Sequence, residues 1–199
     1  SEKVPKEQSV EIMTEDIFQL MKFLKINKAS FLGFSMGGAV AFQMALLHPE
    51  NVDKLVILNS GPDFNNAKDS GVDILGERTK IIKEQGFSTL AQTISAGMFP
   101  EDNQKEWRDE FEQRIVSNDE AAYLKTFGEL MNWGMGKKIS EIPHQTLVIA
   151  SDMDYTPVEY KKSYTDKMQH AKLVVIENSR HGVVLDQAEK LNEELLKFL

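Results

Sequence analysis

The chain has 199 residues, 41% of them hydrophobic and 27% charged, with a formal net charge of −8. That length suits one domain with a real hydrophobic core and room for an inserted lobe, and the composition excludes a disordered tail and a membrane-embedded protein. An acidic surface repels phosphate backbones and argues against a nucleic-acid partner. The absence of cysteine excludes a disulfide framework, a thiolate nucleophile and a cysteine metal site, and is compatible with a cytoplasmic protein.

In chain order, Val10, Met13, Ile17, Leu20, Met21 and Leu24 fall at helical spacing, with Ser9 as N-cap and Asn27 as stop. A compact apolar run, Ala29–Gly33, then predicts a buried strand, and Met36–Leu47 predicts a small, apolar helix closing at His48 and Pro49. Lys54–Asn59 is a second strand of the same kind. Residues 61–145 break the rhythm, because a βα crossover needs only about a dozen residues or a few more. Helical patterns over Ile74–Gln85, Leu90–Met98, Gln104–Val116 and Glu120–Met131 make this interval an inserted helical lobe over one end of the sheet. Thr146–Ala150 and Lys172–Ile176 resume the strands, and Gln187–Leu199 closes the chain with a helix carrying Leu191, Leu195 and Phe198 on one stripe. The expected fold class is α/β: a doubly wound, mostly parallel sheet with a helical cap inserted at 63–138 and the core formed by 1–62 and 139–199. No stretch reaches the length of a membrane span, and no basic amphipathic helix suggests attachment to a membrane surface.

The sharpest motif is Gly33-Phe34-Ser35-Met36-Gly37-Gly38, at the end of the first strand and the start of a helix. A serine in so tight a turn sits on strained backbone, and side chains two residues before and after it would collide, so glycine is expected at both places. The helix that follows aims free N–H groups at any oxyanion forming beside Ser35, Met36 N–H first among them. Strand, glycine-flanked serine and helix together match the context of a nucleophile elbow. Such a hydroxyl needs a base. Of the four histidines, His48 lies at the far end of the following helix, and His144 and His170 precede strands at the opposite sheet edge. His181 follows the last strand, on the carboxyl edge where open α/β sheets bind ligands, and is the candidate base. The acid should follow another strand on that edge. Asp152 and Asp154 both satisfy the chain order serine, acid, histidine; Asp154 lies further out along the loop and is favoured, while Asp152 suits a turn cap.

Gly33–Gly38, Leu147–Asp154 and Ser179–Gly182 together resemble the α/β-hydrolase superfamily, in its capped esterase, lactonase and peptidase-like branch, over essentially the whole chain. The resemblance implies that the fourth residue of Ser151–Asp154 supplies the acid, and that a helical cap occupies the long interval. It also implies that Ser1–Pro5 is the loop after a fourth strand. On that reading, a preceding segment or a second chain completes the sheet and brings a His-Gly-type loop with a second oxyanion donor. Position 34, often histidine in relatives, is Phe34 here and makes the entrance more apolar. The implied activity is that of a serine hydrolase on a small carboxylic ester or lactone, with catalytic Ser35, Asp154 and His181, Met36 N–H as oxyanion donor, and no metal or organic cofactor. A slow-turnover binding or sensor protein on the same fold is the alternative. Met98, Phe99, Trp107, Met131, Trp133 and Met135 suit either an acyl pocket or, more simply, the core of the lobe.

Overall fold

Ser9 caps the first helix as its sequence position suggests, accepting the Ile12 N–H at 3.3 Å, and α1 runs from Val10–Phe23. This is a computed structural model describing residues 8–66 and 72–199; the Ser1–Pro5 segment, read above as a loop, lies outside the described residues. The strands are β1 (Ala29–Phe34), β2 (Val52–Leu58), β3 (Gln145–Ser151) and β4 (Ala171–Ile176), in one parallel sheet ordered β1-β2-β3-β4. The remaining helices are α2 (Met36–Leu47), α3 (Ile74–Gln85), α4 (Phe87–Met98), α5 (Lys105–Val116), α6 (Glu120–Asn132), α7 (Val158–Thr165), α8 (Val183–Asp186) and α9 (Ala188–Phe198).

Two compact units emerge from this order. One holds the sheet and comprises residues 9–64 and 133–199; the other is helical and spans 65–132. In the helical unit α4 starts three residues before the apolar pattern does. Gly86, at φ 92°, ends α3 and opens α4 directly, so no loop separates them. Phe99 is its most deeply buried large side chain, and its ring meets those of Trp107 and Phe111 edge-on at 6.0 and 6.2 Å. Met98 and Met131 are also buried in this unit, while Trp107 and Phe111 are half-buried. Trp133 and Met135 are buried in the sheet unit instead, where Trp133 Nε1 donates to Gln43 Oε1 at 2.9 Å.

The sheet is covered on both faces, which is why its strands are continuous apolar runs rather than alternating ones. On one face Val183 of α8 and Leu191 of α9 pack against Val56, Leu58, Leu147 and Ile149. On the other lie α2 and α7, whose Phe42 and Tyr164 rings meet edge-on at 6.0 Å; the alternate strand residues Leu55, Ile57 and Val148 are completely buried there. Phe34 pairs with Leu58, Leu58 with Ile149, and Ser151 with Ile176. This register brings the four strand ends to one edge, so the turns at Ser35, Asn59, Ser151–Pro157 and Glu177–Gly182 emerge side by side.

β1 is an edge strand. Beside it a groove of about 380 Å³ is lined by Met13, Ile17, Phe31, Leu32, Met36 and Val40, and Leu32 is 49% exposed. An open apolar edge of this kind is a template for pairing with further chain. Among the described residues no helix is long and apolar enough to cross a membrane.

Candidate active site

Ser35 joins β1 to α2 at φ 52° and ψ −120°, a conformation that costs a non-glycine residue about 1–3 kcal/mol. Its neighbours hold it there. Ser35 N–H donates to the Leu58 carbonyl at 3.0 Å, and the Ser35 carbonyl accepts from Gly38 N–H at 2.8 Å and from Ser60 Oγ at 2.7 Å.

The glycine requirement differs from the sequence expectation. A Cβ at Gly33 would stand 2.2 Å from the Gly37 carbonyl oxygen, which is impossible without breaking the turn. At Gly37, outside its own helix, an added Cβ meets nothing within 4 Å; the second obligatory glycine is Gly38, whose Cβ would lie 2.4 Å from Ser60 Oγ. The collision at the second position therefore comes from the β2 turn, not from the elbow itself. Gly33→Ala should lower the unfolding free energy by about 3 kcal/mol, at the upper end of overpacking costs, whereas Gly37→Ala should change it by less than about 1 kcal/mol. Urea unfolding of both variants checks this contrast.

As the first residue of α2, Met36 carries an N–H without a helical acceptor, beside the serine and at the positive end of the helix dipole. His181, on the turn after β4, has its Nδ1 2.6 Å from Asp154 Oδ1. A carboxylate only accepts, so Nδ1 carries a proton, and in the neutral imidazole the lone pair is the one on Nε2. The imidazole lies between two rings, Phe34 at 4.9 Å and Tyr155 at 4.5 Å between centroids. Through Phe34 it adjoins the elbow. The Ser35 hydroxyl and His181 are not hydrogen-bonded in this arrangement; in unliganded hydrolytic sites that contact commonly tightens only around substrate.

Asp154 and Asp152 occupy different environments. Asp152 accepts backbone N–H groups from Asn178 at 3.0 Å and Ser179 at 3.1 Å and so ties the β3 turn to the β4 turn. Burial works against its ionisation, but these backbone donors prevail and hold its pKa below the usual carboxylate value. Asp154 has a side chain only 1% exposed. Burial would raise its pKa, yet the hydrogen bond and charge of His181, then those of Lys161, outweigh it and keep the carboxyl below the ordinary range.

The other histidines have structural settings. His48 stacks on Phe18 at 3.7 Å and meets Glu15 at 3.2 Å, while His144 Nε2 lies 2.8 Å from the Pro49 carbonyl. His170 precedes β4.

Sequence reasoning missed a buried polar network beneath the histidine turn. Asn59, at φ 44°, donates through Nδ2 to Ser151 Oγ at 2.8 Å and to the His181 carbonyl at 3.1 Å, and its Oδ1 accepts Ser151 N–H at 2.8 Å. Ser179 Oγ donates to Asp186 Oδ1 at 2.7 Å, and Asp186 Oδ2 accepts Arg180 N–H at 2.9 Å. An asparagine directly after an apolar strand, a residue type that tolerates positive φ, was the available signal. Among the described residues no group of three or more His, Asp or Glu side chains could hold a metal ion.

A serine elbow, a histidine and a buried carboxylate on the carboxyl edge of a parallel sheet define the α/β class that carries hydrolytic triads. The alpha/beta hydrolase fold family matches residues 2–188, and the chain belongs to it. A protein named "Putative carbamate hydrolase RutD" from Stutzerimonas stutzeri is 27% identical over 209 residues, covering 98% of this chain and 75% of that protein. The 2-hydroxy-6-oxo-6-phenylhexa-2,4-dienoate hydrolase of Burkholderia cepacia is 30% identical over 195 residues, covering 90% of this chain and 65% of its own length. In structure, an esterase from Exiguobacterium antarcticum superposes with a TM-score of 0.87 at 23% identity, over 98% of this chain and 75% of that one.

Proposed function

We propose that the protein is a serine hydrolase acting on a small carboxylic ester or lactone. Ser35 Oγ attacks the carbonyl carbon, and His181 Nε2 takes its proton and returns it to the departing oxygen. Asp154 keeps the proton on Nδ1 and stabilises the imidazolium, and Met36 N–H donates to the oxyanion. Water, activated by the same histidine, then releases the acyl group from Ser35. The scheme uses no metal or organic cofactor. Its main support is the hydrogen bond between a buried, ionised Asp154 and His181, on the same sheet edge as a strained serine.

The relatives' names describe cleavage of different bonds, and all support hydrolysis as the reaction type. The Phe34 ring beside His181 favours an uncharged, apolar acyl group over a charged one. The reading places the chemistry in a core of 1–62 and 139–199, treats 63–138 as a helical cap insertion, and puts the protein in the cytoplasm. It also has the β1 edge receive a further strand, from a preceding segment or a second chain, with the apolar groove beside β1 as support.

The protein should take a fluorophosphonate label at Ser35 and release p-nitrophenol from short-chain esters with multiple turnovers. Mapping the label by mass spectrometry tests the nucleophile. Saturable binding of the ester without release of p-nitrophenol would instead favour the binding-protein reading, for which a single main-chain oxyanion donor is the motive.

A further inference from the structure

Lys161 is completely buried on α7, an unusual place for a lysine in a helix this polar. Its ammonium has three donors, and each finds an acceptor: Asp154 Oδ2 at 2.6 Å, the Thr156 carbonyl at 2.8 Å and Thr156 Oγ1 at 2.7 Å. Asp154 is thereby shared, one oxygen on His181 and the other on Lys161. A buried pair of this kind contributes little net stability compared with well-packed apolar residues, so its presence calls for another role.

We infer that Lys161 is a positioning residue for the site: a buried cation that locks the Asp154 carboxylate with Oδ1 facing His181 and offsets the charge the imidazole feels. The inference rests on the serine hydrolase reading and adds to it a control on the base. The lock is mechanical as well as electrostatic. With Oδ2 pinned, the carboxylate cannot rotate about its terminal torsion, which is otherwise broad for aspartate. α7 also reaches the nucleophile side, because Tyr164 OH donates to the Ser60 carbonyl at 3.0 Å and Ser60 Oγ donates to the Ser35 carbonyl. One helix therefore braces the turns of both the acid and the serine.

The groups facing this centre define what should titrate. From α7 come Lys161 and Tyr164, the latter held un-ionised by burial, then by Tyr160 and Asp154. From the β3 turn come Asp152, Asp154 and Tyr155, and from α8 comes Asp186; Asp152 and Asp186 hold the backbone of the histidine turn through Asn178, Ser179 and Arg180, while Asp154 and Tyr155 meet the ring. Only Lys161 supplies a buried positive charge against Asp154 among the described residues. Removing that charge leaves the carboxylate facing His181 uncompensated, which favours the imidazolium and leaves less free base at a given pH.

The test is the pH profile of ester hydrolysis by Lys161→Met, with Lys161→Gln deciding if the first variant gives no cooperative melt. The acid limb of kcat/KM should move up by about one pH unit and kcat should fall about tenfold or more, with KM within about twofold of the parent. The NMR titration of His181, which needs no turnover, should move in the same direction. A folded variant whose limb and His181 titration coincide with the parent's overturns the inference. Ser35→Ala, assayed alongside, separates the two readings. Turnover retained there defeats the hydrolase reading, whereas turnover lost there with an unmoved limb in the Lys161 variant defeats only the role of Lys161.

Discussion

Ser35→Ala is expected to cut kcat for a p-nitrophenyl ester by about a thousandfold or more and to abolish fluorophosphonate labelling, with the fold unchanged. A thousandfold corresponds to about 4 kcal/mol of lost transition-state stabilisation. Fold and chemistry separate cleanly at this position. Among the described residues the Ser35 hydroxyl makes no hydrogen bond, so its removal strands no partner there. The bonds that hold the strained turn come from backbone atoms of Ser35, which alanine keeps: the N–H to Leu58 and the carbonyl to Gly38 and Ser60. The thermal midpoint should therefore stay within the range of a neutral surface change, about 0.5 kcal/mol in unfolding free energy. Residual turnover near the parent level would mean that another group attacks the ester, and the elbow would lose its assigned part.

The sheet was legible in the sequence because both its faces are covered, which turns every strand into a compact apolar run bracketed by turn residues. Boundaries moved by one or two residues, as at β2, where Val52 and Asp53 precede the apolar stretch yet pair with β1 through Val52 and Ala29. Ser35 was legible through Gly33, whose need is local: its own turn brings the Gly37 carbonyl onto it. Gly38 was not, since the atom that excludes a side chain there belongs to Ser60, from another strand's turn. Lys161 was hidden for a similar reason. It stands beside Lys162 in a short polar helix, and only the fold turns one of these lysines onto Asp154 while the other meets Asp166 at the surface. The Asn59 network joins side chains up to 92 residues apart, a distance at which no spacing rule operates. What sequence could supply was each residue's place on a strand end; what it could not supply was the second partner of every buried polar group.

Asp154→Asn should produce the second large effect, and in two separable parts. The amide can donate where the carboxylate only accepts, so it no longer enforces the Nδ1–H tautomer of His181, and kcat should fall on the order of 10⁴-fold. Stability should fall as well. Lys161 would keep its Thr156 acceptors but lose its counter-ion in a fully buried site, and breaking such a pair from one side costs about 3–5 kcal/mol at neutral pH. Linkage fixes how that loss varies with pH. In the parent, Asp154 has a folded pKa below its unfolded value, so its contribution is complete above about pH 4 and disappears as pH falls through the folded value. The gap between parent and variant should therefore narrow as pH falls below about 4. At the alkaline end the sign reverses. Burial already draws the Lys161 pKa down against the pull of Asp154, and without that carboxylate it falls further. The unfolded variant then binds more protons than the folded one, and its stability should climb with pH up to the unfolded lysine value near 10.4. Urea unfolding of both proteins from pH 3 to 10 follows both trends. A variant whose stability is flat or falling between pH 7 and 10, relative to the parent, would show that Lys161 is not held as a buried cation.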